Sequence, residues 1–360
     1  MPAATQQRKV VYPFRVATRQ RRKQVKTAQS ISGLGGAAQF TLDRVGMLNY
    51  LVIVLQATVT LSSGGAFATL GPWSIIDKVS VNLNLGNMTL VSISGWNLYQ
   101  INKLMFRGWA PDGGGNFTPS SQTFSAPVAS GANTWKLPLL IPISANPGSE
   151  FDTGLVGLQA PEVQVDVIVQ LAAAGATFVT NFSTLTAVTC TLYQQYFDLP
   201  RPGAPVQLPL GQIVRTVETT KAIAAVGELD YTVERQGQLL DMCSTFVANG
   251  SRSNGIDNAA LIANINDRIY VLDPTICQFV NQFDYSAPSD TGVFTLDLWH
   301  AREAPMSGDR RDVLNTEVLT TLQWNPTVSS GTTLGSGNNY WTTARRVLVN
   351  FAQPGIGPSI

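Results

Sequence analysis

Along this chain, apolar and polar residues alternate in short runs separated by turn residues. In Val79-Ser80-Val81-Asn82-Leu83-Asn84-Leu85 every second position is apolar, the period of a strand with one buried face, and a Gly86-Asn87 turn follows. Val163, Val165, Val167, Val169 and Leu171 alternate with Gln164, Asp166 and Gln170 in the same way, as do Phe294, Leu296 and Leu298 with Thr295 and Asp297. Tyr50 to Leu55 is continuously apolar and predicts a strand buried on both faces. Leu261 to Ile265, leading into an Asn266-Asp267 turn, and the runs Thr189 to Tyr193 and Arg346 to Phe351 read as further strands. Helical spacing occurs in two places. Trp96, Leu98, Ile101, Leu104 and Met105 follow Ser94, which can cap them; Ile276, Phe279, Val280 and Phe283 follow Asp273 at the N-cap and Pro274 at the first helical position.

These elements recur in the same order because an eight-residue stretch is used twice. Thr41-Leu42-Asp43-Arg44-Val45-Gly46-Met47-Leu48 returns as Thr232-Val233-Glu234-Arg235-Gln236-Gly237-Gln238-Leu239, keeping its chemistry at six of eight positions. After each copy come an alternating strand, a tight turn, a short helix and a closing strand. The sequence therefore predicts an all-β fold: two tandem eight-stranded jelly-roll barrels with one short helix each, preceded by a flexible basic N-terminal arm. The expected boundaries are 1–38 for the arm, 39–199 for the first barrel, 200–205 for a stiff Pro-rich linker, and 206–360 for the second barrel with a short tail. Arg107 to Thr134, Asn249 to Gly255 and Ser329 to Asn339 read as loops outside the cores.

Composition adds that the surface is unusually neutral. Hydrophobic residues make up 44% of the chain and charged residues 13%, against roughly 25% charged in an ordinary soluble protein. Such a surface is weakly protected against self-association, which suits an assembling subunit. A net charge of +1 hides an asymmetry. Arg8, Lys9, Arg15, Arg19, Arg21, Arg22, Lys23 and Lys26 precede the first acid, Asp43, so a cationic arm is joined to a mildly acidic body. The arm should stay mobile until something anionic orders it. Cys190, Cys243 and Cys277 are too scattered for a disulfide framework or a zinc site and read as small buried hydrophobes. With no apolar leader, and no apolar run near the ~20 residues a bilayer requires, the expectation is a soluble protein made in the cytoplasm.

Catalytic chemistry is scarce. The one histidine, His300, has only Glu303 nearby as a possible orienting carboxylate and reads as structural. Gly113-Gly114-Gly115 does not lead into a helix and lacks the Gly-Lys ending of a phosphate loop. Glu228, Asp230 and Glu234 read as exposed strand residues rather than a hydrolytic pair, and the Asn-x-Ser/Thr matches at Asn87, Asn116, Asn181 and Asn249 as chance in an Asn- and Thr-rich chain. No enzyme, cofactor or metal site is predicted. Within the repeat, Gly46 and Gly237 are the fixed glycines. Arg44 and Arg235 each follow an acid by one position; neighbouring strand residues face opposite ways, so each arginine is expected to form a structural ion pair with another strand.

A basic arm, a first barrel carrying Gly71-Pro72-Trp73-Ser74-Ile75-Ile76-Asp77-Lys78-Val79 and Val91-Ser92-Ile93-Ser94-Gly95-Trp96-Asn97-Leu98, and a related second barrel together resemble the double jelly-roll major capsid proteins of tailless, internal-membrane (tectivirus-like) bacteriophages, whose architecture the adenovirus hexon shares. The resemblance implies a structural protein of an icosahedral virion, forming homotrimers whose six barrels make a pseudo-hexagonal capsomer beside neighbouring capsomers and minor capsid proteins. It places the arm on the inner side. There Arg8, Lys9, Arg15, Arg19, Arg21, Arg22, Lys23 and Lys26 could meet anionic lipid, the favoured partner, or packaged nucleic acid, or could order against a neighbouring subunit. Val10, Val11, Tyr12, Phe14 and Val16 lie among these cations and could enter a membrane interface. Two alternatives stay open: an RNA-virus coat protein with a basic arm, shell and projecting domains, and a tandem β-sandwich carbohydrate-binding protein or glycosidase.

Overall fold

The structure is a computed structural model. It describes residues 12–14, 18–84, 87–105, 130–145, 147, 153–159, 163–200, 206–207, 211–285, 290–298 and 313–351. The Gly-rich centre of the Arg107–Thr134 loop, the Pro-rich linker 200–205 beyond Pro200, His300 and the tail after Phe351 lie outside the described residues.

In the first half the main strands are β1 (Gln20–Gln24), β2 (Ala37–Thr41), β3 (Met47–Leu61), β4 (Ile76–Leu83) and β5 (Met88–Ile93), then helix α1 (Gly95–Met105), then β6 (Gly131–Pro142), β7 (Val165–Leu171) and β8 (Phe182–Phe197). They form two sheets with orders β1-β8-β3-β6 and β2-β7-β4-β5. The second half supplies β9 (Gln212–Ala222), β10 (Gln238–Ala248), β11 (Ile256–Ala263), β12 (Asp267–Leu272), helix α2 (Pro274–Tyr285), β13 (Val293–Asp297), β14 (Leu322–Val328) and β15 (Tyr340–Asn350). Its sheets run β9-β15-β10-β13 and, with the short strand Gly227–Glu228 at one edge, that strand-β14-β11-β12. Strand for strand, this is the order of the first half, so each half is an eight-stranded jelly-roll.

Alternation builds both cores. Val79, Val81 and Leu83 of β4 and Val165, Val167 and Val169 of β7 face inward against Leu51, Ile53, Leu55, Leu137, Leu139 and Leu192 of the opposite sheet. Trp324 and Trp341 are fully buried in the second core, and the indole N–H of Trp324 donates to Ser244 Oγ at 2.9 Å. The three cysteines are buried. Both expected helices form with the expected caps: Ser94 Oγ accepts from the amide of Asn97 at 3.3 Å and Asp273 Oδ1 from that of Ile276 at 2.9 Å. The turn expected at Asn266-Asp267 lies slightly earlier, at residues 264–266, where Asn264 and Ile265 take positive φ and Asp267 already belongs to β12.

Two expectations are corrected. Residues 20–24, assigned to the mobile arm, form edge strand β1, paired with Tyr193 to Phe197 of β8. Their side chains are all exposed, so no apolar period marks them; backbone pairing holds the strand, with Arg21–Asp198 (2.6 Å) and Lys23–Asp43 (2.8 Å) ion pairs and a 3.0 Å bond from Arg22 to Gln195. The first barrel thus takes in residues well before 39. In β3, Val52 and Val54 are half-buried while their neighbours Leu51, Ile53 and Leu55 are fully buried, so the run Tyr50 to Leu55 has one buried face, not two.

Candidate assembly site

The repeated stretch is the turn that enters β3 in one barrel and β10 in the other. Gly46 and Gly237 both have φ of +60°, and a Cβ on either would lie 2.2 Å from a backbone carbonyl oxygen, that of Phe197 on β8 or Leu348 on β15. Glycine is required at both for the same reason: a left-handed turn pressed against the last strand of its barrel. The next residues bulge identically, since pairing skips Asn49 between Leu48–Tyr196 and Tyr50–Gln195, and Leu240 between Leu239–Val347 and Asp241–Arg346. The ion pairs at these turns run from the acids of the repeat: Asp43 to Lys23, and Glu234 to Arg345 at 2.6 Å. The arginines expected to form them do otherwise. Arg44 is exposed, and Arg235 donates to the carbonyl of Leu319.

The two barrels meet along one continuous sheet. β9 of the second lies parallel to β5 of the first, with Thr216 opposite Val91 and Val217 opposite Ser92, so the barrels stand side by side and point the same way. The loop after β3, the start of β6 and the Ser329–Asn339 loop lie at one end; the two repeat turns, the start of β1 and the end of β15 lie at the other.

Helix α1 fills the angle between the barrels. Leu98 and Ile101 are buried in the first core, and Asn102 splices the helix onto β6, donating to the Leu140 carbonyl and accepting from the Leu140 amide, both at 2.7 Å. Trp73 stacks on Tyr99 with centroids 4.5 Å apart. On the other side the contacts are polar: Trp96 Nε1 donates to Thr245 (2.9 Å), Asn97 to Thr342 (3.3 Å) and Gln100 to Asp290 (2.7 Å), while buried Lys103 pairs with Asp290 at 3.0 Å. Glu218 accepts from the Ser94 amide at 2.6 Å and from Thr342. Further along the junction, Arg346, 1% exposed, binds Asp241 through two oxygens and donates to the Ala145 carbonyl of the first barrel at 2.9 Å. Burial raises the Asp241 carboxyl from its ordinary value although Arg346 opposes the shift, and burial lowers Arg345 although Glu234 opposes it. Sequence reading found α1 and its cap but missed Lys103, Glu218, Asp290 and Arg346; a lysine within a capped, largely apolar helix was the available signal.

The arm cations divide. Arg8, Lys9 and Arg15 lie outside the described residues, whereas Arg19, Arg21, Arg22, Lys23 and Lys26 are exposed along β1 and its flanks, on the side of the barrel. Phe14 is buried against Met47, Leu155 and Phe197, which ties the chain to the barrel six residues before β1 begins. Among the described residues no group of three or more His, Cys, Asp or Glu side chains is placed to hold a metal ion.

No family model matches the sequence, and no curated protein matches it. Comparison with solved structures does decide the architecture. The major capsid protein of STIV (Sulfolobus Turreted Icosahedral Virus) aligns over 92% of this chain and 97% of its own with a TM-score of 0.66 at 12% identity, and VP54 of PBCV-1 over 94% and 95% with 0.63 at 13%. The chain has the double jelly-roll fold of viral major capsid proteins. The double jelly-roll of the major capsid protein from bacteriophage PM2 also aligns, over 94% of this chain and all of its own, with a TM-score of 0.56 at 10% identity. In this chain the fused sheet and the α1 junction set how one barrel stands beside the other.

Proposed function

We propose that this chain is the major structural protein of an icosahedral virus shell, and that three copies form a capsomer in which six similar barrels approximate a hexagon. One observation carries this reading: both halves have the same strand order and stand in the same direction, so a threefold oligomer would present nearly sixfold edges to its neighbours. The shared order also counts against an RNA-virus coat protein, whose shell and projecting domains need not match. The rest of the reading is that Arg8, Lys9 and Arg15 face inward, toward anionic lipid headgroups beneath the shell, each contributing about 1 kcal/mol near such a surface. It is supported by the position of Phe14 at the end of the barrels opposite the long loops. Light scattering on the purified chain tests the capsomer: a mass three times 38.7 kDa is expected, and a stable monomer contradicts it. For the arm, R8Q/K9Q/R15Q should lose binding to vesicles containing anionic lipid while the barrels stay folded; retention of vesicle binding, or loss confined to nucleic-acid binding, contradicts the lipid assignment.

A further inference from the structure

A polar pocket opens at the loop end of the second barrel, beside the junction with the first. It has a volume of about 660 Å³ and lies between the hairpin after β10 and the loop after β14, with Ser251, Arg252, Ser253, Asp257, Thr332 and Thr333 on its walls. That size falls within the roughly 300–1,000 Å³ of small-molecule clefts, which are mostly apolar, whereas this one is mainly polar. Its walls are fixed by hydrogen bonds. Asn249 and Gly250 turn the hairpin with φ of +49° and +73°, which sets Arg252 opposite Val247. Their amides donate to Asn339 Oδ1 at 2.6 Å and to the Asn338 carbonyl at 2.9 Å, and the Gly255 carbonyl accepts from the Ser329 amide at 3.0 Å and from Thr332 Oγ1 at 2.8 Å.

Two ionisable side chains line this pocket without pairing with each other. Arg252 is steadied by the first barrel: its Cζ lies 4.8 Å from the centre of the Trp96 ring, a buried side chain of α1. Among the described residues Arg252 joins no ion pair and its guanidinium donates no side-chain hydrogen bond, so its fork of donors is available. Asp257 sits at a bulge of β11, skipped between the pairs Ile256–Val328 and Asn258–Thr327, and its side chain is exposed. A cation held on an aromatic face, a carboxylate apart from it and several hydroxyls between them complement a ligand that carries one negative charge and many hydroxyl groups.

We infer that this pocket binds an acidic glycan, with Arg252 holding a sugar carboxylate and Asp257 accepting from sugar hydroxyls. No second carboxylate lines the pocket among the described residues, so it holds a sugar without the carboxylate pair that hydrolysis requires. An apolar ligand finds too little apolar wall, and a bare anion such as phosphate leaves Asp257 and most of the volume unused. The outward direction of the site rests on the shell reading, in which this end of the barrels lies opposite the arm and meets the acidic glycans of a cell surface. Binding itself does not depend on that reading.

Isothermal titration of the purified full chain with sialyllactose and with trigalacturonic acid tests this, lactose and sodium phosphate being the controls. At least one acidic sugar should bind, about tenfold or more tightly than lactose, and R252Q should weaken it by about tenfold or more with an unchanged melting curve. Gly331 stands on the pocket wall, and a Cβ there meets nothing within 4 Å; G331W should therefore fill the pocket and abolish binding while leaving Arg252 on Trp96. Failure of both acidic sugars to bind, equal affinity for lactose, binding of phosphate alone, or binding that survives both R252Q and G331W overturns the inference. Light scattering on the same sample reads the shell proposal separately: a trimer that binds no sugar refutes this site and spares the capsomer, and a monomer that binds an acidic sugar does the reverse.

Discussion

Gly237→Ala separates two costs that usually occur together. A non-glycine residue at φ +60° costs roughly 1–2 kcal/mol. The added Cβ would also lie 2.2 Å from the Leu348 carbonyl oxygen and 3.1 Å from the Val349 Cα, both backbone atoms that cannot turn aside. Moving β15 away would disturb its pairing with β9 and β10, so the total should reach about 3 kcal/mol or more. Gly250 is the control: its φ is +73°, and a Cβ there meets nothing within 4 Å. Gly250→Ala should lose about 1 kcal/mol, the conformational part alone. Urea unfolding, followed by tryptophan fluorescence to report the Trp324 and Trp341 core, measures both. Equal losses in the two variants would refute the claim that close contact with the last strand fixes the repeated glycine; Gly46→Ala, pressed 2.2 Å from the Phe197 carbonyl, should match Gly237→Ala.

Three other outcomes are expected. Lys103→Ala leaves the Asp290 carboxylate without its buried partner and should cost about 2–4 kcal/mol, and a double-mutant cycle with Asp290→Ala should show coupling above roughly 0.5 kcal/mol; additive losses would show that the pair does not hold α1 to the second barrel. Burial pushes the Cys190 thiol up to about 12 and Cys243 well above its ordinary value, so a thiol reagent at pH 8 should leave both unmodified in the native chain and label them only in denaturant. Trp341→Ala removes a fully buried side chain in contact with Phe294, and should cost about 3–5 kcal/mol by thermal or chemical unfolding.

Most of each barrel was legible because alternation and capping are local. Val79 to Leu83 announces β4, Ser94 and Asp273 announce the helices, and the repeated glycines announce that one turn is built twice. β1 was not legible: Gln20-Arg21-Arg22-Lys23-Gln24 buries no side chain, and backbone pairing with β8 makes it a strand. The polar face of α1 was hidden for a related reason. Asn97, Gln100 and Lys103 look like a solvated helix face until the second barrel is seen to cover them. The apolar run Tyr50 to Leu55 suggested burial on both faces, yet the side bearing Val52 and Val54 is only half-buried.

Electron microscopy of the purified, untreated oligomer is the most direct test that two like barrels let three chains imitate a hexagon. Class averages viewed down the axis should show six lobes of similar size with threefold symmetry. Particles with two lobes, or rings whose lobes are not six, would contradict the account.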